Sequence, residues 1–165
     1  ANEKDPKLIY ALNLIKNWNL SADSSNTAAA LAIIVLPNAF NEDDLKYETG
    51  AITRKLVETI DYLENKFGRI DAPLGKVLRL VRGETNLPLS GGPGLLRAIY
   101  FNKKNDTYVG TAGDCYFQAV EWGPNGELNA WTIHQYGSAT AIESSIHYND
   151  QAKLFSKHEM KQVRP

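Results

Sequence analysis

The side chains best suited to chemistry lie close together near the end of the chain. Hydroxyl, imidazole and carboxylate groups follow one another there: Ser144, Ser145, His147 and Asp150. Acyl transfer uses such groups as nucleophile, base and orienting acid. Triad members normally converge from separate elements, and residues of a single turn can hardly align all the reacting atoms. The spacing therefore favours a framework role, in which Asp150 caps a short helix and His147 makes a structural hydrogen bond.

Cys115 is the single cysteine of the chain, which rules out an internal disulfide. It could act as a thiolate nucleophile if His134 lay beside it on a neighbouring strand. A lone cysteine in an apolar strand is more typical of a small buried hydrophobe. We therefore expect Cys115 to be buried and unreactive.

Metal and phosphate sites have little support in the residue spacing. His147, Asp150 and His158 could bind zinc, but no cysteine pair and no His-Glu-x-x-His motif accompanies them. The glycine-rich segment 91–94 lacks the lysine and the helix of a phosphate-binding loop, so it is predicted to be a turn. The residues predict no catalytic residue, no metal ligand and no cofactor site in this chain.

Composition indicates one globular domain. The 165 residues are 43% hydrophobic and carry a formal net charge of −1, without the basic patch that nucleic acids attract. The longest apolar run, 27–36, is too short to cross a bilayer. The sequence starts at Ala1 with neither an initiator Met nor the features of a signal peptide, so we expect upstream sequence to have been removed. Ala1 has no nucleophilic side-chain atom, so it does not fit a mechanism in which the first residue is the nucleophile.

Helical periodicity dominates the first part of the chain, about 5–68. Three helices are predicted: Pro6 to about Asn19, Ala28–Leu36, and about Asn41–Phe67. Asp5 is the expected N-cap of the first helix, Pro37 ends the second, Gly50 divides the third, and Gly68 is its expected C-cap.

Strand periodicity dominates residues 95–137, after an irregular stretch at 69–94 that includes one possible short strand at 77–81. The predicted strands are 96–101, 108–109, 114–122 and 128–136, joined as an antiparallel meander. Both faces of the third strand are mostly apolar, so the helices can cover one face while the other has no partner in the chain. Residues 138–165 are expected to form a loop and a short helix. The fold class is α+β.

The motifs of the strand-rich part and the tail resemble a known family. They are Gly113-Asp114-Cys115-Tyr116, Ile133-His134-Gln135-Tyr136-Gly137, Ser145-Ile146-His147-Tyr148-Asn149-Asp150-Gln151 and, upstream, Leu87-Pro88-Leu89-Ser90-Gly91-Gly92. Together they resemble the C-terminal end of the β-chain of penicillin acylases and acyl-homoserine-lactone acylases, which are N-terminal-nucleophile amidohydrolases. Cys115 stands where the family usually has Ser, and Ile146 where it usually has Pro.

The resemblance implies part of a four-layer αββα enzyme. In this family a precursor cleaves itself and exposes a serine whose own amine is the base; that serine, the oxyanion donors and the calcium site of some members precede the matched segment. The implied partners are the α-chain and the N-terminal part of the β-chain, the implied location is periplasmic or secreted, and the implied substrates are penicillin-like or N-acyl-homoserine-lactone amides. An uncovered apolar sheet face also predicts self-association.

Two alternatives remain open at this point. The chain could be a non-catalytic binding or interaction module that shares the fold fragment. It could also be an independent small enzyme that uses Cys115 or His147.

Overall fold

The computed structural model describes residues 5–36 and 49–163. Its helices are α1 (Pro6–Lys16), α2 (Ala29–Val35), α3 (Thr49–Phe67), α4 (Leu74–Val77) and α5 (Ala152–Ser156). Its strands are β1 (Leu78–Arg82), β2 (Thr85–Pro88), β3 (Ile99–Lys104), β4 (Thr107–Gly113), β5 (Tyr116–Trp122), β6 (Leu128–His134) and β7 (Lys161–Gln162). The described parts of the chain contain no helix with the length and apolar content needed to cross a membrane.

Capping residues set the ends of the first two helices. The Asp5 carboxylate accepts a hydrogen bond from the Lys7 backbone N–H at 3.0 Å, which confirms the predicted N-cap of α1. This helix ends at Lys16, earlier than the predicted Asn19, and the chain then turns through Leu20 at a φ of 61°. Asn26 accepts hydrogen bonds from the backbone N–H groups of Ala28 and Ala29 at the start of α2, whose residues are all buried.

The third helix ends where the sequence indicates. Gly68 adopts a φ of 70°, and its backbone N–H donates to the Glu64 carbonyl at 2.8 Å. Glycine adopts this left-handed conformation without a Cβ clash, which confirms the predicted C-cap. Gly50 lies in the first turn of α3. The predicted start near Asn41 and the break at Pro37 lie outside the described residues.

The predicted short strand at 77–81 is confirmed as β1, but the segment 69–94 is less irregular than expected, because it also contains α4 and the strand β2, which pairs with β1. The hairpin is antiparallel, with Arg82 opposite Thr85 across a turn at Gly83 and Glu84. Gly83 has a φ of 55°, the conformation that a tight turn needs. Pro88 ends the edge strand β2, where its missing N–H costs no ladder bond.

The strands form two sheets, and the fold class is α+β as predicted. The first sheet has the order β2-β1-β4-β3 with β1 parallel to β4, and the second has the order β5-β6-β7 and is antiparallel. The predicted strands therefore do not form one antiparallel meander, because the chain leaves the first sheet after β4 and enters the second at β5. The physical reason is that the Asp114 backbone N–H donates to the Ala98 carbonyl at 2.8 Å while the Asp114 carboxylate accepts from the Ala98 N–H at 2.7 Å. This pair turns the chain out of the first sheet.

Several strand limits also differ from the predicted ones. Leu96 is 99% exposed and precedes β3 rather than opening it. The strand β4 is longer than the predicted 108–109, and β7 was not predicted. A two-residue strand such as β7 has too little periodicity to be found from sequence.

The main core lies between the helices and the first sheet, with α5 packed in. It is built from large buried side chains on four elements: Leu31, Leu63, Leu78 and Phe155. The second sheet is covered less completely. Its exposed large apolar residues are Tyr116 at 47%, Val120 at 38%, Trp122 at 73% and Leu128 at 63%. This exposure agrees with the expectation of a sheet face without a partner in the chain.

Candidate functional site

The polar tail residues come together within one surface turn. His147 Nδ1 lies 2.9 Å from an Asp150 carboxylate oxygen, and both side chains are exposed. The Ser145 hydroxyl oxygen accepts a hydrogen bond from the His147 backbone N–H at 3.1 Å. The serine thus bonds to backbone rather than to the imidazole, so the nucleophile–base contact of a triad is not formed in the described structure.

Asp150 does not cap the following helix, which corrects that prediction. The N-cap of α5 is Gln151, in helical conformation and without a side-chain cap bond. The carboxylate is instead engaged with the ring of His147. An N-cap needs extended backbone to aim its side chain at the first turn, and Gln151 does not supply that geometry here.

Gln151 is the residue that ties the tail to the second sheet. It is 3% exposed, its amide oxygen accepts the His134 backbone N–H at 3.1 Å, and its own backbone N–H donates to the Tyr136 carbonyl at 2.7 Å. A buried amide with this pairing fixes the end of β6 against the start of α5. Sequence reasoning missed it because only a fold shows which polar residues become buried.

The close packing around Gly137 explains why the motif Ile133–Gly137 ends with a glycine. A Cβ there would lie 2.0 Å from the His147 carbonyl oxygen and 2.5 Å from an Asp150 carboxylate oxygen. The His147–Asp150 turn therefore packs directly on the glycine backbone, and any side chain would push it away.

Arg82 holds the same loop from the first sheet. Its guanidinium lies 4.0 Å from the ring centroid of Tyr148 and 5.0 Å from that of Tyr136. It also donates to the backbone carbonyls of Ala139 and Thr140. These cation–π contacts and hydrogen bonds to loop carbonyls hold the tail loop against the first sheet. Sequence analysis did not identify Arg82, although the two tyrosines stand in the motifs.

Cys115 is exposed, so the prediction of a buried cysteine is wrong. It lies in the link between the two sheets, at the edge of a cavity of about 320 Å³. Its carbonyl accepts the Gln135 backbone N–H at 3.3 Å, while His134 packs on Tyr116 with ring centroids 4.9 Å apart. The structure therefore does not place the thiol and the imidazole in a nucleophile–base pair.

The three candidate zinc ligands are not gathered into one site. Within residues 5–36 and 49–163, no three His, Cys, Asp or Glu side chains are close enough together to hold a metal ion. His158 instead lines a cavity beside Arg97. Partial burial and the positive charge of Arg97 lower the pKa of His158 below its ordinary value.

In the described residues, the Ser145 hydroxyl, the Asp114 carboxylate and the Gln151 amide all accept hydrogen bonds from backbone N–H groups. Comparison with sequence families then supplies the class: the profile described as penicillin amidase matches residues 1–164, nearly the whole chain. The chain belongs to the penicillin amidase family of acylase-type hydrolases, which confirms the resemblance carried by its motifs. No curated protein matches it.

Proposed function

We propose that this chain is the C-terminal scaffold of the β-chain of an acylase, and that it takes part in acyl-amide hydrolysis only when joined to the rest of that enzyme. The nucleophile in this account is an N-terminal serine on a part of the enzyme outside this sequence. The observation that carries the proposal is the family match over residues 1–164.

The contacts of the motif residues support a scaffold role. Asp114 holds the backbone of Ala98, Gln151 holds that of His134, and Gly137 supports the His147 turn. Three of the four motifs thus contain a residue whose type has a structural reason. The exposed apolar face of the second sheet, with Trp122 at 73% exposure, supports a further layer from the rest of the enzyme.

The proposal extends to substrate, partner and place. Penicillin-like or N-acyl-homoserine-lactone amides are the proposed substrates, the α-chain and the N-terminal part of the β-chain are the proposed partners, and the periplasm or the extracellular medium is the proposed location. These follow from the family resemblance.

Hydrolysis assays on the isolated chain and on the complete enzyme test the proposal. Anilide and homoserine-lactone amides of aromatic and aliphatic acids are offered to both proteins. The isolated chain is expected to be inactive, because the nucleophile–base contact is not formed in it. The complete enzyme is expected to hydrolyse at least one of them and to lose that activity when its β-chain N-terminal serine is replaced by alanine.

Two further experiments test the alternative functions, a small independent enzyme and a binding module. Hydrolysis by the isolated chain that disappears in Cys115→Ala or His147→Ala would establish an independent small enzyme. A complete gene product that binds such amides without hydrolysing them would establish a binding module. Either outcome overturns the proposal.

A further inference from the structure

Arg97 is a partly buried cation whose hydrogen-bonding capacity is largely unused. Its Nη2 donates to the Phe155 carbonyl at 2.8 Å, and the guanidinium lies 3.5 Å from the Phe155 ring centroid. Its Nε atom is buried and has no hydrogen-bond partner, and no carboxylate of residues 5–36 or 49–163 forms a salt bridge with the guanidinium. A guanidinium carries five N–H donors, so most of them are unpaired in this part of the chain.

Burial without a salt-bridge partner among residues 5–36 and 49–163 has an electrostatic consequence. Desolvation lowers the pKa of Arg97 to about 10, and the charge of Asp114 opposes that shift. A cation removed from water is costly unless a negative group pairs with it. The site around Arg97 thus favours an anion.

The space beside Arg97 is apolar. A cavity of about 260 Å³ is bounded by Arg97 and by the side chains of Phe117, Ile133, Phe155 and Met160. It is smaller than the pockets that hold drug-sized ligands. Its walls fit an aromatic ring or a short aliphatic chain, and the positive charge of Arg97, which has no salt-bridge partner among the described residues, fits an oxyanion.

We propose that this cavity binds a small monocarboxylic acid, with the carboxylate on the Arg97 guanidinium and the apolar tail among Phe117, Ile133 and Met160. The site belongs to this chain alone and does not depend on the proposed function. Phosphate-like dianions are disfavoured because the walls offer aromatic and aliphatic carbon instead of further donors, and because Glu159 lies at the rim.

An NMR titration tests the proposal with a matched pair of ligands. The chain, in a buffer free of carboxylates, is titrated with 3-phenylpropanoate and separately with the uncharged 3-phenylpropanamide. The two share their apolar tail and differ in charge. We expect the acid to bind at least tenfold more tightly, with shifts at the Arg97 Nε–H and at the backbone of residues 158–160.

Variants assign the effect to Arg97. Arg97→Met keeps an apolar stem of similar length and is expected to remove the preference for the acid, whereas Arg54→Met, on an exposed turn of α3, is expected to leave it unchanged. Glu159→Gln removes a negative charge from the rim and is expected to tighten acid binding about twofold without affecting the amide. Glu143→Gln, on the exposed tail loop, is its control.

Three results overturn the proposal: equal affinity for acid and amide, shifts confined to another part of the chain, or an unchanged acid preference in Arg97→Met. If Arg97→Met does not fold, Glu159→Gln decides, and an acid affinity identical to that of Glu143→Gln overturns the proposal.

Discussion

At the scale of single residues, Arg82 gives the most direct test of how the tail is held. Replacing it by Met keeps the aliphatic stem but removes the guanidinium from Tyr136 and Tyr148 and from the loop carbonyls. We expect the free energy of unfolding to fall by about 2 kcal/mol, from lost cation–π and hydrogen-bond contributions. Urea denaturation measures it.

Hydrogen exchange shows where that loss acts. Amides of the tail loop, such as that of Ala139, which bonds to the His147 carbonyl at 3.1 Å, are expected to exchange faster in Arg82→Met. The exposed Arg54→Met is the control and is expected to stay within about 0.5 kcal/mol of the unmodified chain. Equal stability of Arg82→Met and Arg54→Met would show that the Arg82 guanidinium does not stabilise the tail loop.

His158 predicts a pH dependence of stability. Its pKa in the folded chain is lowered, by burial first and by Arg97 second, from the ordinary value of 6.5. The unfolded chain therefore binds this proton at a higher pH than the folded chain does. Its contribution to the free energy of unfolding is full above about pH 6.5 and is lost as the pH falls from there through the lower pKa of the folded chain.

His158→Asn removes this titration without disturbing the backbone. His158 has a φ of 61°, and asparagine tolerates that left-handed conformation better than most residues. Denaturation of both proteins between pH 7.5 and 5 is expected to show a smaller loss in His158→Asn. Identical pH profiles of the two proteins would contradict the lowered pKa of His158.

Residue-level prediction from sequence succeeded where the cause is local. Asp5 and Gly68 act within one helical turn, so their residue types indicate their roles. Cys115 and Asp150 were misjudged because burial and pairing depend on distant segments: the division of the sheets leaves the thiol exposed, and His147 engages the carboxylate. Arg82 and Arg97 gave no local signal at all.

At the scale of elements, the junction between the two sheets depends on Gly113. Its φ is 128°, and a Cβ there would lie 2.1 Å from the Ala98 carbonyl oxygen. We expect Gly113→Ala to lower the free energy of unfolding by more than about 2 kcal/mol, since backbone must move on both sides. Chemical denaturation measures the loss.

Gly126→Ala is the matched control for that effect. Gly126 also has a positive φ, 87°, but nothing lies within 4 Å of an added Cβ. Only the conformational strain remains, at about 1 kcal/mol. A loss in Gly113→Ala no greater than in Gly126→Ala would show that the close approach at the junction is unimportant.

Element prediction was best for helices and weakest for strand pairing. The buried α2 follows from an apolar run capped by Asn26, and both signals are local. The parallel contact of β1 with β4 joins segments far apart in sequence, and periodicity carries no information about such a pairing. The sequence predicts β1 as a short strand at 77–81, and Gly83 is a local turn signal that is consistent with its hairpin with β2.

At the scale of the whole molecule, the open face of the second sheet predicts self-association of the isolated chain. Trp122 and Leu128 are opposite each other in the ladder and are 73% and 63% exposed. Apolar area of this kind favours association. Sedimentation is expected to show a mass that rises with concentration, and less so in the double variant Trp122→Thr and Leu128→Thr.

Ile146→Thr is the control, since Ile146 is 82% exposed but lies outside the sheets. It is expected to associate as the unmodified chain does. A monomer at all concentrations, or equal association of the control and the double variant, would contradict a role for this face.

The family and the α+β class could be predicted from the sequence, because the motifs Gly113–Tyr116 and Ser145–Gln151 are specific as a set and the periodicity changes from helical to extended. From the sequence, only the close spacing of Ser145 and His147 argued against a nucleophile–base contact. The structure adds that the Ser145 hydroxyl accepts from the His147 backbone N–H.

The central claim is that this chain is one segment of a self-processed acylase. Mass spectrometry of the native protein, in the cells that make it, tests this most directly. We predict that the residues of this chain occur in a polypeptide much larger than 18.3 kDa that begins with serine and is accompanied by a separate α-chain. A complete native gene product of about 165 residues would contradict the claim.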